Sequence, residues 1–309
     1  MSPEGLVGDV SSLSLEPLSS TEAHSYWQVF LEGRSDLPTK DLTVHLDRYL
    51  SLPAEEQRAH FSIKRDGRIV GTIHLKPGEI SGFSMAPSHT TEAPAAVLRA
   101  IDMLRAAGSA AITAHYEDVY EDAFASLGFR RVFARMRMEA PTRKAPLPDG
   151  VSLQPPEEGE ILGLTSFLMD VYDGHMEQQF GLHSGPEDEW REYVAAIFKG
   201  ESGQYMPDAS YVSLDDDGQI VGAVIITHWM GMPLVAEVGV WNERRGRGLG
   251  RALLQAAMNR LADRGESRLA LYVTVGNDPA ISLYRSMGFA QVGGQSVTAR
   301  LESADDSQR

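Results

Sequence analysis

The sequence has no cysteine. Disulfides, thiolate metal ligands and an acyl-cysteine intermediate are therefore excluded, and any acyl transfer must be direct or use another nucleophile. Positive charge is the second shortage: 28 Lys plus Arg stand against 43 Asp plus Glu, a formal net charge of −15. That balance argues against nonspecific nucleic-acid binding and against anionic membrane surfaces. It suits a cationic substrate such as an amine, and it equally suits plain solubility. Long apolar runs are missing too, and the opening Met1-Ser2-Pro3-Glu4-Gly5 has neither the basic flank nor the apolar core of a signal peptide. The expectation is a cytoplasmic protein without a membrane span, as a monomer or homodimer.

What is present is a long-period repeat. At 309 residues the chain is comfortable for two domains. Phe61-Ser62-Ile63-Lys64, an Asp66-Gly67 turn and Arg68-Ile69-Val70-Gly71 return as Tyr211-Val212-Ser213-Leu214, Asp217-Gly218 and Gln219-Ile220-Val221-Gly222, each an Asp-Gly hairpin signal. Leu13-Ser14-Leu15-Glu16-Pro17 is echoed by Val151-Ser152-Leu153-Gln154-Pro155, and Leu127-Gly128-Phe129 by Met287-Gly288-Phe289. Three echoes in one order imply an internal duplication. The expected organisation is a polar lead-in over 1–12, a first domain over 13–139, a proline-rich linker over 140–150, a second domain over 151–301 and an acidic tail over 302–309. Strands alternating with helices and antiparallel hairpins predict a mixed α/β sheet in each copy. In the second copy the patterns predict helices over 160–169, 187–198, 251–262 and 280–286, and a closing strand pair over 289–292 and 296–301.

The copies differ where chemistry would sit. In the second, the strand Val238-Gly239-Val240 leads through Trp241-Asn242-Glu243-Arg244-Arg245-Gly246-Arg247-Gly248-Leu249-Gly250 into a helix that begins at Arg251. Unpaired backbone N–H groups at a helix N-terminus form an anion site. Glycines let a phosphate approach the backbone, and the four arginines reverse the sign of an acidic chain. A helix start with exposed arginines is the plainer reading. The corresponding stretch of the first copy, Met85 to Ala95, has no glycine and no arginine, and Phe124 and Glu117 stand opposite Tyr284 and Asn277. The first copy thus reads as a degenerate scaffold.

A further stretch, Asn277-Asp278-Pro279-Ala280-Ile281-Ser282-Leu283-Tyr284-Arg285-Ser286-Met287-Gly288-Phe289, follows the glycine loop at a fixed distance. Arg245-Gly246-Arg247-Gly248-Leu249-Gly250, together with Asn277, Ala280, Leu283, Tyr284, Gly288 and Phe289, resembles the acyl-CoA site of the GCN5-related N-acetyltransferases. The resemblance implies direct transfer of an acetyl group from acetyl-CoA to an amine, with no metal. By it, the loop N–H groups from Arg245 to Gly250 would hold the CoA pyrophosphate, with the charges of Arg244, Arg245, Arg247 and Arg251 alongside, and Val238 to Val240 would pair with the pantetheine arm and polarise the thioester carbonyl. Asn277 would hydrogen-bond the cofactor arm or the adjoining strand, and Tyr284 would protonate the departing thiolate. Asn277 before Asp278-Pro279 also reads as a helix cap, and Tyr284 also reads as core.

An ammonium must lose a proton before it attacks. Glu237 is the carboxylate best placed in sequence, although strand alternation turns it to the face opposite Val238 unless a bulge intervenes. His228 is a second candidate, and it equally reads as a polar strand end. Asp173, His175 and Glu177, in a helix broken by Gly174, offer contacts for a cationic acceptor, or simply an exposed acidic loop. The expected function is an N-acetyltransferase acting on a primary amine of a small molecule, with the second copy active and the first structural. A non-catalytic acyl-CoA sensor is the alternative. A tRNA-dependent aminoacyl transferase would lack the loop and carry a basic surface, the opposite of this chain.

Overall fold

A computed structural model describes residues 13–148, 150–156, 161–201 and 203–303. The expected lead-in, Asp149 of the linker, Glu160 and residues 304–309 of the tail lie outside the described residues. By contacts the chain forms two compact units, residues 1–135 with 293–309, and residues 136–292. The architecture is mixed α/β, as expected.

Unit 1 begins with β1 (Leu13–Pro17), α1 (Ala23–Glu32), α2 (Leu42–Ser51) and α3 (Ala54–Arg58). It continues through β2 (His60–Arg65), β3 (Arg68–Lys76), β4 (Glu79–Met85), α4 (Ala93–Ala106), β5 (Ile112–Glu117) and α5 (Glu121–Ala125). β6 (Arg130–Pro141) starts in unit 1 and ends in unit 2. Strands β1 to β4 pair antiparallel in sequence order, and β4 pairs parallel with β5. Asp66 and Gly67 both take positive φ between β2 and β3, which is the turn that Asp-Gly predicts.

Unit 2 contains α6 (Ile161–Tyr172), α7 (Glu187–Phe198), β7 (Gln204–Tyr205), β8 (Tyr211–Leu214), β9 (Ile220–Trp229) and β10 (Met232–Val240). These are followed by α8 (Leu249–Asp263), β11 (Arg268–Thr274), α9 (Asp278–Ser286) and β12 (Ala290–Leu301). Successive side chains of β9 serve two cores, because a strand alternates faces. Val224 and Ile226 pack with Leu253, Leu254 and Ala257 of α8, while Ala223 and Ile225 pack with Phe167 and Leu168 of α6 and Trp190 and Val194 of α7. From Ile220 to Ile226 β9 is therefore apolar on both faces rather than alternating.

The closing segment departs from expectation. It is one strand, β12, and from Gly293 onward it belongs to unit 1, where Ser296 to Leu301 pair antiparallel with Glu117 to Ile112 of β5. The reason lies at Gly293, which has φ +73 and would bring a Cβ to 2.2 Å from the Ser35 carbonyl oxygen. Glycine here serves a close approach between backbones and not a hairpin. The units consequently do not follow the linear division at 139 and 151: each half of the chain sends part of its last strand to the other unit.

Candidate active site

The site of unit 2 begins with a bulge. β10 and β9 shift register between Val235 and Glu237. Val235 and Val238 pack on the α8 side, whereas the consecutive Ala236 and Glu237 both face α6 and α7. Glu237 thus lies under the two helices on the face opposite Val238, as alternation requires, and the bulge before it sets Ala236 on that same face.

The same region opens an edge. The parallel ladder of β10 with β11 is confined to Leu234 with Ala270 and Val235 with Leu271, although the strands run on to Val240 and Thr274. Trp241 N–H donates to Val221 O, so alternation turns Gly239 toward β9 and turns Val238 and Val240 away from it. Val240 O accordingly accepts from Arg245 Nε at 3.0 Å. Between the diverging strands lies a cleft of about 870 Å³, lined by Val238 to Val240 on one wall and Leu271 to Thr274 on the other.

The glycine-arginine loop closes one end of this cleft. Gly246 and Gly248 take φ of +74 and +85, a left-handed path that L side chains resist. α8 starts at Leu249, two residues earlier than the sequence pattern suggested. Its first backbone bond runs from Ala252 N–H to Gly248 O, which leaves the N–H groups of Leu249, Gly250 and Arg251 ahead of the helical ladder. Arg244, Arg245 and Arg251 line the cleft, and Arg247 does not. Arg245 also has a tethering task, since its Nη2 reaches Val171 O at 3.3 Å and ties the loop to the end of α6. Arg251 bonds Ser286 Oγ of α9.

Glu237 is only 5% exposed. Tyr172 Oη donates to its Oε2 at 3.0 Å, and Tyr193 Oη donates to its Oε1. Burial pushes its carboxyl above the ordinary range, against the pull of both phenols and of His183. Tyr284 lines the same cleft, is buried against Phe289, and has its phenol pushed upward by burial and by the fields of Glu237 and Glu177. It therefore stays protonated at neutral pH.

Asn277 Oδ1 accepts from Ala280 N–H, so this residue does cap α9. Its Nδ2 also lies 3.3 Å from His175 Nε2, inside the cleft. Glu177 is buried, accepts from Thr274 Oγ1, and lies 3.1 Å from His183 Nε2. Asp173 is exposed at the rim. His228 is not among the residues lining the cleft. It sits in register with Pro233 and Gln204 at the far end of β9.

Sequence reasoning missed Tyr172, Tyr193 and His183. A phenol on an apolar helix face looks the same in sequence as core packing, and only the fold shows two of them converging on one carboxylate.

Unit 1 repeats the register shift, between Thr72 and His74, and the short parallel ladder of β4 with β5, but carries different side chains there. Trp241 N–H to Val221 O is matched there by Ala86 N–H to Val70 O, which sets Met85 opposite Val240 and Gly82 opposite Glu237. Met85 N–H donates to Tyr120 Oη at 2.9 Å, and that hydroxyl donates on to Gly33 O at 3.1 Å. Glu92 of the corresponding loop pairs with Arg65 and His89. Glu117, opposite Asn277, is buried and accepts from Ser35 N–H at 2.8 Å.

Residues 168–289 match the acetyltransferase (GNAT) family. A mycothiol acetyltransferase of Nocardia farcinica is 29% identical over 266 residues, covering 78% of this chain and 82% of that one. Among solved structures, a GCN5-related N-acetyltransferase from Sphaerobacter thermophilus superposes with a TM-score of 0.72 at 16% identity, over 96% of both chains. A tandem GNAT protein from the clavulanic acid biosynthesis pathway gives 0.62 at 15% identity, over 94% of this chain and 98% of that one. These structural likenesses concern the fold. No described helix is long and apolar enough to cross a membrane.

Proposed function

Because the chain belongs to the GCN5-related N-acetyltransferase superfamily as a tandem member, and is an acetyl-CoA-dependent N-acetyltransferase, we propose that unit 2 carries the transfer, to a primary amine of a small molecule. That premise sets aside the acyl-CoA sensor. The observation that carries the reading is the buried Glu237 carboxylate, which two phenols hold beside the unpaired edge of β10 in the cleft that also holds Tyr284.

The donor fits this cleft. The glycine loop and the start of α8 would take its pyrophosphate, with Arg244 and Arg251 alongside. Val238 and Val240 would pair with its pantetheine arm. Bound acetyl-CoA supplies the acetyl thioester. Glu237 takes a proton from the acceptor ammonium, freeing the nitrogen lone pair to attack the carbonyl carbon. A β10 N–H holds the charge that develops on the carbonyl oxygen. As the carbon–sulfur bond breaks, Tyr284 gives its proton to the thiolate and regains one from the nitrogen that has become the amide, so the products are the amide and CoA thiol, with the ammonium's first proton on Glu237. The pantetheine pairing, the roles of Glu237 and Tyr284, and contacts of Asp173, His175, Glu177 and Asn277 with acceptor or donor are parts of this proposal.

Unit 1 is proposed as structural. Tyr120 already engages the Met85 N–H there, and no glycine loop follows β4. The mycothiol acetyltransferase relatives make a mycothiol-related amine the first acceptor to try, followed by amino sugars, polyamines and aminoglycosides. The test is release of CoA thiol from acetyl-CoA across that panel. Turnover in the full chain that falls at least a hundredfold in Glu237→Gln supports the reading, and full turnover in that variant contradicts it.

A further inference from the structure

We infer that Tyr172 and Tyr193 form a two-phenol clamp that keeps Glu237 ionised and fixed in one orientation, which makes them positioning residues of the transfer. This rests on Glu237 acting as the base. An ionised carboxylate offers about four acceptor sites, and the clamp uses one on each oxygen, from Tyr172 at the end of α6 and Tyr193 within α7. One donor on each oxygen, from two different helices, fixes the plane of the group and leaves two sites for the acceptor ammonium.

The clamp is itself held. The Tyr172 ring stacks on His183 at 4.0 Å and 18° between planes, and His183 stacks on Trp190 at 5.4 Å and 28°. His183 Nε2 is fixed by Glu177, which Thr274 of β11 fixes in turn. The groups acting on Glu237 are thus Tyr172 from α6, Tyr193 from α7, and Glu177 and His183 from the segment between them. Tyr284 of α9 lies within its field. Burial disfavours the charged form, and only hydrogen-bond donors and His183 oppose it. The apolar cluster around α6 and α7 would accept phenylalanine at both positions, so packing alone does not ask for these hydroxyls. In unit 1 the strand position opposite Glu237 is Gly82, which has no carboxylate to hold.

The experiment is an infrared pH titration of the ligand-free full chain, reading the carboxyl band that Glu237→Gln removes. Tyr193→Phe and Tyr172→Phe are each expected to move its midpoint upward by about one pH unit, so that about tenfold less of the ionised form remains at a pH below the midpoint. A midpoint unmoved in both variants overturns the clamp, as does a titration in which Glu237→Gln removes no step. Should one variant fail to fold, the other decides. Turnover separates this from the reading beneath it: shifted midpoints with full turnover in Glu237→Gln would leave Tyr172 and Tyr193 holding a carboxylate that is not the base.

Discussion

Gly248→Ala separates the backbone demand of the loop from its contact with ligand. Gly248 sits at φ +85 with nothing within 4 Å of a Cβ built on it, so a methyl meets no neighbour in the protein. The cost in the free protein is then the left-handed conformation alone, about 1–2 kcal/mol, or a fall in Tm of about 2–8 °C at roughly 2–4 °C per kcal/mol. Gly218, in the β8–β9 hairpin of the same unit, has φ +78 and equally open surroundings. Gly218→Ala should therefore cost the same. The two part company when acetyl-CoA is added at about one hundred times the wild-type Kd, where binding stabilises the protein by about 2.7 kcal/mol. Wild type and Gly218→Ala should show that gain, and Gly248→Ala should lose at least half of it, equivalent to about tenfold weaker binding. Thermal denaturation with and without acetyl-CoA reads all three. An equal gain in Gly248→Ala would refute the assignment of the loop to the pyrophosphate.

Tyr284→Phe should lower kcat by about 10²–10⁴ while calorimetry finds acetyl-CoA affinity nearly unchanged; unaltered kcat would remove Tyr284 from the mechanism. Glu237 has a raised folded-state carboxyl, so the folded state holds its proton more tightly than the unfolded chain, and this site favours folding more as pH falls from its folded value toward the ordinary carboxylate range. Glu237→Gln should accordingly gain Tm relative to wild type at neutral pH, and the gain should vanish in acid; a Tm difference that does not change with pH would contradict it. In unit 1, burial first and then the neighbouring His60 push His74 down to about 4. Its contribution to stability is present above about pH 6.5, the unfolded value, and is lost as pH falls toward about 4. Replacing His74 with Gln should flatten the slope of Tm against pH across that window, and an unchanged slope would rule the residue out.

Much of unit 2 was legible because its signals are local. Glu187–Phe198 and Tyr211–Leu214 have the bounds their patterns predict, and the Asp-Gly hairpins and the glycine loop are carried by backbone conformations that few residue types adopt. α6 runs three residues beyond expectation, to Tyr172, and that extra turn supplies a ligand of Glu237. What sequence could not show is long-range. Gly293-Gly294 looks like a turn until Ser35 is found against it, and β12 then leaves its own half to pair with β5. Glu237 points opposite Val238, as alternation predicts, whereas the bulge that sets Ala236 on the same face is one that no residue type marks. His228 stood second to Glu237 in sequence, and the fold separates them further, setting the histidine at the far end of β9 and away from the cleft that Glu237 lines.

The central claim is that one cleft per chain, in unit 2, takes acetyl-CoA. Calorimetric titration of the full chain with acetyl-CoA tests it most directly, with stoichiometry as the readout. One site per chain, weakened in Gly248→Ala and unchanged in Gly218→Ala, is the predicted result. Two sites per chain, or one site indifferent to the Gly248 change, would contradict it.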